Sequence, residues 1–267
     1  MLTDLEVLKP LENLESINVR GRNIKSIETI RSMPTLRRLS LKPKSCARDL
    51  AVLEGHQLDT LAVDVCKEAD IGHISACDVG QFLGIRKWRW KDLTGLKVRA
   101  PDLTINGGSL VSTHGLASNG FDRVYFAQVQ KLGSLVGLTA RRIWVATCRN
   151  LMPEAFAEVR DLRWLYLSSQ PEIRSFDFVA RLPKLINLSI DATRISTKDL
   201  SALAEAGSLQ RVWLPKQVGQ EVIEAAAKAN PRLSISNGVD YFVKGRRASA
   251  AGFEAERVEL SKVLCQG

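Results

Sequence analysis

The strongest constraint on this chain is an apolar pattern that returns about every 22 residues. Apolar residues stand at the first, fourth and sixth positions of each unit, and the alternation at the end is that of a β-strand with one buried face. The last four units follow at steps of 22, 23 and 24 residues. The period predicts a stack of similar turns, each burying its apolar edge against its neighbours. The units are Leu14/Ile17/Val19, Leu36/Leu39/Leu41, Leu58/Leu61/Val63, Ala140/Ile143/Val145, Leu162/Leu165/Leu167, Leu185/Leu188/Ile190 and Leu209/Val212/Leu214.

The segments between these strands are also periodic, with apolar residues three positions apart. A spacing of three favours a 3₁₀-like or extended return, in which side chains three apart lie on one side. Three returns show it, at Leu2/Leu5/Leu8/Leu11, Ile24/Ile27/Ile30/Met33 and Ile173/Phe176/Val179/Leu182.

The combined pattern resembles the leucine-rich-repeat family, and the Leu14 to Met33 unit resembles its 22-residue, internalin-like class. The resemblance covers residues 2 to about 236. It implies an α/β solenoid with a curved parallel sheet on the concave side and irregular or helical returns on the convex side. We therefore expect a solenoid of about 9–10 turns over residues 1–236 and a cap or tail over 237–267.

One position of the family pattern is not met. The family usually has Asn three residues after the last strand leucine, where its side chain bonds the backbone between turns. The sequence predicts a divergent solenoid without this ladder, since the position holds Arg22, Lys44, Cys66, Cys148, Gln170, Thr193 and Gln217.

The middle of the chain fits the period least well. The units placed there, Ile85/Trp88/Trp90, Ala100/Leu103/Ile105 and Phe121/Val124/Phe126, follow at uneven steps of 27, 15 and 21 residues. This predicts an irregular segment over about 66–120, with a kink or inserted loop near 66–84 or 106–118.

Helices are predicted in the last returns and in the tail. Ser196-Thr197 can cap a helix that runs through Ala206, and a second helix covers 222–229. Leu233 and Ile235 form a last half-strand. An amphipathic helix over 253–264 is expected to cover the open end of the stack.

Motifs of catalysis, metal binding and export are missing from the sequence. It has no G-x-x-x-x-G-K, H-E-x-x-H or G-x-S-x-G, and its five cysteines form no CxxC pair. His73 and Cys77 have no base-orienting carboxylate at a convincing spacing. No apolar run approaches the ~20 residues of a membrane span, and the N-terminus lacks the apolar run of a signal peptide. We expect a cytoplasmic, non-enzymatic protein that needs no cofactor, metal or small-molecule substrate.

The net charge of +9 is concentrated on one predicted surface. Nine units contribute five outward positions each, and these hold fourteen basic and six acidic residues, whereas the remaining chain is nearly balanced. Tyr125, Trp144, Tyr166 and Trp213 occupy the middle outward position of four strands, with Trp164 beside them. Aromatic residues among arginines are typical of protein interfaces. The candidate partner-binding residues are Arg37, Arg38, Arg86, Arg89, Arg123, Tyr125, Arg141, Arg142, Trp144, Arg163, Trp164, Tyr166, Arg211 and Trp213.

These residues favour binding of an acidic protein partner, in the manner of a toxin-neutralising immunity protein or an adaptor. The alternative is nucleic-acid binding through the same face, where arginines track phosphates and aromatic rings stack on bases. A purely structural interpretation also stands, in which the charge serves solubility and the arginines form local cation–π contacts.

Overall fold

The computed structural model describes residues 4–20, 24–42, 49–65, 67–108, 110–170, 172–192, 194–195 and 200–265, with side chains as far as residue 259. Several positions that carry the sequence predictions lie outside these residues, namely Leu2, Arg22, Lys44, Cys66, Thr193 and the helix cap Ser196-Thr197.

One sheet of 13 strands organises the described residues. Eleven strands pair in parallel in chain order, and the last two add an antiparallel hairpin. Four further strands of two residues each pair in the returns, β5 with β7 and β9 with β11. The strands are β1 (Ser16–Val19), β2 (Arg38–Leu41), β3 (Gln57–Asp64), β4 (Asp78–Arg86), β5 (Lys97–Val98), β6 (Asp102–Asn106), β7 (Ala117–Ser118), β8 (Phe121–Ala127), β9 (Lys131–Leu132), β10 (Ala140–Ala146), β11 (Asn150–Leu151), β12 (Trp164–Gln170), β13 (Asn187–Ala192), β14 (Arg211–Trp213), β15 (Ser234–Ser236), β16 (Tyr241–Val243) and β17 (Arg246–Arg247).

The strands stack at a nearly constant interval. Paired residues in successive sheet strands lie 22, 22, 22, 20, 21, 19, 22, 23, 24 and 23 residues apart along the chain. The apolar side chains of all turns therefore meet in one continuous core.

The predicted unit Ile85/Trp88/Trp90 is wrong in register. Leu83 pairs with Leu61 of the preceding strand, so Leu83 and Ile85 are the buried residues of this turn. Trp88 follows the strand and is itself fully buried. The sheet therefore passes through the middle of the chain without an inserted turn, and the interval near 66–84 contains a helix.

Two of the three returns with apolar residues three apart contain a 3₁₀ helix, as predicted, and the third contains a short α-helix over Asp177–Ala180. Ile24, Ile27, Ile30 and Met33 are all buried around one of the 3₁₀ helices. The 3₁₀ helices are Glu6–Leu8, Glu28–Ser32, Leu50–Leu53 and Pro153–Glu158, and the α-helices of the returns are α1 (Ala69–Ser75), α2 (Asp177–Ala180), α3 (Ser201–Glu205) and α4 (Gln220–Ala229).

The C-terminal segment forms a hairpin and a helix instead of another turn. After β15 the chain turns back through β16 and β17 and enters α5 (Ala250–Cys265). Phe253 of α5 is fully buried, with its ring centroid 5.9 Å from that of Trp213 and 5.7 Å from that of Tyr241. The start of α5 thus packs on the last strands of the sheet.

Side-chain amides replace the family's Asn ladder in the last turns. The Gln170 side chain is buried, and its Nε2 donates to the carbonyl of Val145, one turn earlier, at 2.9 Å. Gln217 Nε2 donates in the same way to the carbonyl of Ala192. The longer Gln side chain therefore does at these positions what Asn does in the family.

We expect Gln170→Ala to lower the free energy of unfolding by about 1–3 kcal/mol, because a buried carbonyl loses its donor. The exposed Gln130 is the control. Gln130→Ala should change the free energy of unfolding by no more than about 0.5 kcal/mol. Urea denaturation followed by circular dichroism measures both. Equal losses in the two variants would show that the amide contact does not stabilise the stack.

Candidate functional site

Two rows of side chains cross the open face of the sheet, the face turned away from the core. Strand pairing aligns the residues of each row, one from every sheet strand as far as β14. The first row is Ser16, Arg38, Thr60, Phe82, Asp102, Arg123, Arg142, Trp164, Asn187 and Arg211. The second row is Asn18, Ser40, Ala62, Gly84, Thr104, Tyr125, Trp144, Tyr166, Ser189 and Trp213.

Three aromatic rings of the second row are in contact on neighbouring strands. The Tyr125 and Trp144 centroids are 5.7 Å apart in an edge-on arrangement, and those of Trp144 and Tyr166 are 5.4 Å apart and stacked. Trp144 remains 49% exposed, although the flanking tyrosines are half-buried. Burial raises the pKa of the Tyr166 hydroxyl above its usual value, so it stays protonated at neutral pH. This aromatic column is a continuous apolar surface that faces solvent at Trp144.

A shallow depression of about 520 Å³ lies beside the aromatic column. The first row supplies its polar wall, with Asp102, Arg123 and Arg142, and Phe82 closes one side. Phe82 is absent from the predicted site because the register error of the Ile85/Trp88/Trp90 unit moved it off the face. Asp102 is absent because the predicted site contains only arginines and aromatic residues. Pairing of Phe82 with Asp102 and of Asp102 with Arg123 places them here.

The two arginines of the depression differ in how fully they are paired. Arg123 Nε donates to Asp102 at 3.0 Å and its Nη2 bonds the other carboxylate oxygen, so this pair is bidentate. The hydrogen bonds to Asp102 raise the pKa of Arg123. Arg142 Nε lies 3.9 Å from Asp122, and its guanidinium stands 5.5 Å from the Trp164 ring centroid. Arg142 therefore has the greater capacity to bind a carboxylate from outside.

Three other predicted arginines border the face, and a fourth, Arg38, lies on it. Arg37, Arg141 and Arg163 each stand one residue ahead of the first row, at the amino-terminal edge of the sheet. Arg38 is in the first row and exposed. Within the described residues, none of these four has an ion-pair partner within 4 Å. They form a basic margin along the face.

Two further arginines are placed differently from the prediction. Arg86 ends β4, donates to the buried Asp64 at 2.8 Å and bonds the Leu41 carbonyl. Lys87 contacts the same carboxylate. Arg89 follows the strand in a loop and is exposed, so its predicted place among the aromatic residues is wrong. The charge on the face itself is therefore lower than the count of outward positions indicates.

Three predicted residues are partly or wholly covered, and the expectation that they lie open is wrong for them. Arg211 is 3% exposed, because Phe253 and Glu254 of α5 pack on it. Trp213 is half-buried by the same helix. Trp164 is 8% exposed, and its Nε1 has no hydrogen-bond partner among the described residues.

Comparison with known proteins places this geometry in a known architecture. A scan against protein-family models finds no match, and no curated protein matches the sequence. Among solved structures, the chain is similar to an internalin (InlF) from Listeria monocytogenes, with a TM-score of 0.52 and 16% identity. The match covers 85% of this chain and 69% of that one. The chain has the leucine-rich-repeat solenoid fold. The predicted α/β solenoid, with a parallel sheet and irregular or helical returns, is confirmed.

Cys77 and Cys148 are buried packing residues, and His73 is paired with a carboxylate. Burial raises the pKa of the Cys77 thiol to about 12, so it is no thiolate nucleophile at neutral pH. His73 Nδ1 lies 2.5 Å from Glu54 Oε1 instead of facing Cys77. Cys148 is buried after β10. The described residues hold no cluster of three potential metal ligands, and none of their helices is long and apolar enough to cross a membrane.

Proposed function

We propose that this chain is a non-enzymatic protein-binding module that takes an acidic surface of a partner protein on its open face. Trp144 is the anchor, since it combines a large exposed indole with fixed aromatic neighbours on both sides. A held Trp with half its surface exposed loses little side-chain entropy on binding, which is typical of an interface hot spot. This exposed ring in a column of contacting aromatic side chains is the observation that carries the proposal.

The charges around the anchor support an acidic partner. The carboxylate nearest to Arg142 among the described residues is that of Asp122, at 3.9 Å. The basic margin of Arg37, Arg38, Arg141 and Arg163 lies along the same face. Such a margin speeds association with a negative surface and orients it. The role of a toxin-neutralising protein and that of an adaptor both require this binding, and the identity of the partner distinguishes them.

The proposal predicts that Trp144→Ala abolishes capture of the partner from native lysate. Loss of a central hot-spot Trp costs at least about 2 kcal/mol, or roughly 30-fold in affinity. Met152→Ala is the matched control, because Met152 is also about half exposed but lies in a return next to β11.

Three results of this capture are informative. Recovery of a protein with wild type and Met152→Ala, but not with Trp144→Ala, supports the proposal. Equal recovery with Trp144→Ala contradicts the site. Material that disappears after nuclease treatment, with an affinity that falls as a steep power of salt concentration, contradicts the protein partner and indicates nucleic acid.

A further inference from the structure

Three strands of the sheet present the same pair of side chains on the open face. Each has an arginine in the first row and an aromatic residue two positions later in the second row. Strand pairing relates the pairs directly, or through the intervening strands β12 and β13. The pairs are Arg123–Tyr125 on β8, Arg142–Trp144 on β10 and Arg211–Trp213 on β14.

The β14 pair is bound by another segment of the chain, the first turns of α5. Arg211 Nη1 donates to the Phe253 carbonyl at 2.8 Å, and its Nη2 donates to Glu254 Oε1 at 3.1 Å. The guanidinium lies 4.0 Å from the Phe253 ring centroid. The same ring packs against Trp213. An aromatic residue followed by a glutamate on a helix therefore satisfies the charge, the donors and the apolar surface of this pair together.

The other two pairs differ in what they already contact. Arg123 is paired bidentately with Asp102, which leaves it little need of another carboxylate. Arg142 has the 3.9 Å contact with Asp122 and lies 5.5 Å from the Trp164 ring centroid, and Trp144 beside it is the most exposed ring of the column. The depression lies against both. Among the three pairs, Arg142–Trp144 is the one whose guanidinium has no close carboxylate partner and whose ring is still exposed.

We propose that Arg142 and Trp144 bind a helical segment of the partner protein in which an aromatic residue directly precedes a glutamate. The interaction repeats on β10 what Phe253–Glu254 does on β14: the carboxylate bonds Arg142, and the ring packs over the guanidinium and against Trp144. The inference rests on the proposed function and specifies the chemistry of the partner.

The structure itself supplies a probe for this chemistry. A synthetic peptide with the sequence of residues 250–262, AAGFEAERVELSK, carries the same Phe-Glu pair. A separate peptide lacks the effective concentration, in the millimolar range, that attachment gives α5, so weak binding at about millimolar peptide is expected. Such binding is measurable by NMR on the indole N–H signals of the five tryptophans of the ¹⁵N-labelled full chain.

We expect the Trp144 indole signal to shift with peptide concentration, whereas the signal of the buried Trp88 stays in place. Peptides with Phe→Ala or Glu→Gln at the paired positions should bind at least about tenfold more weakly. Arg142→Gln should weaken binding of the original peptide by a similar factor, because the carboxylate loses its charged donor. Arg99→Gln is the matched control, since Arg99 is exposed beyond β5 and contacts Asp78 only at 3.6 Å.

Other results would overturn the inference. Equal binding of the Phe→Ala peptide, or unchanged binding to Arg142→Gln, would show that the pair is not the recognition element. A shift of Trp213 without Trp144 would show that the peptide merely exchanges with α5. Absence of any shift at millimolar peptide would refute this partner chemistry, while capture that depends on Trp144 would still uphold the protein-binding function.

Discussion

Gly108→Ala is expected to destabilise the solenoid strongly, because the added methyl group has no space. A Cβ on Gly108 would stand 1.3 Å from the backbone carbonyl oxygen of Trp88. Gly108 also has φ +90°, a conformation that favours glycine. Trp88 is fully buried, with its Nε1 donating to the Asp92 carbonyl, so this backbone cannot withdraw without moving a packed indole. We expect the free energy of unfolding to fall by at least about 3 kcal/mol.

Gly137→Ala separates the clash from the backbone strain. Gly137 has φ +80°, but a Cβ there meets nothing within 4 Å, so only the conformational cost of about 1–2 kcal/mol remains. Urea denaturation of both variants gives the difference. An equal or smaller loss of stability in Gly108→Ala than in Gly137→Ala would contradict the close approach of Gly108, after β6, to the backbone of Trp88, after β4.

Phe253→Ala is expected to release α5 from the sheet. The ring is fully buried between Trp213, Tyr241 and Arg211, and removal of such a ring costs about 3–5 kcal/mol. That loss corresponds to at least about a 100-fold rise in amide hydrogen exchange over residues 254–259, if the helix opens by detaching. Trp213 should gain exposure at the same time, which shifts its fluorescence towards longer wavelength.

Val258→Ala is the control on the same helix, because Val258 is about half exposed. It should change exchange by no more than about twofold, as expected of a surface substitution. Retained protection in Phe253→Ala would contradict the docking of α5 on β14. It would also remove the template for the proposed recognition at Arg142 and Trp144.

The repeat was predictable because its signal is apolar periodicity, which directly reflects the buried side of each turn. The middle turn was misplaced for a physical reason. Its first position is Gly80, which hides the start of the pattern, and the buried Trp88 after the strand resembles a strand residue. The spacing of apolar residues in the sequence cannot distinguish a large apolar residue in a strand from one just beyond the strand.

The site was predictable only in part, since the five outward positions of a unit are not equivalent. Two of them lie on the open face, whereas the position ahead of the first row lies at the edge of the sheet. The aromatic column around Trp144 was found because strand alternation determines it. The burial of Arg211 was not, because it depends on α5, which follows more than 40 residues later in the chain.

The most direct test of the binding surface places a photo-crosslinking residue, benzoylphenylalanine, at position 104 of the full chain in its native cells. Thr104 lies in the second row beside Tyr125, so the substitution leaves the anchor Trp144 in place. The same residue at position 152, in a return, is the control. We predict that irradiation joins one partner protein covalently to the chain through position 104 and not through position 152. No adduct from position 104, with or without one from position 152, would contradict the claim that the open face of the sheet is the binding surface.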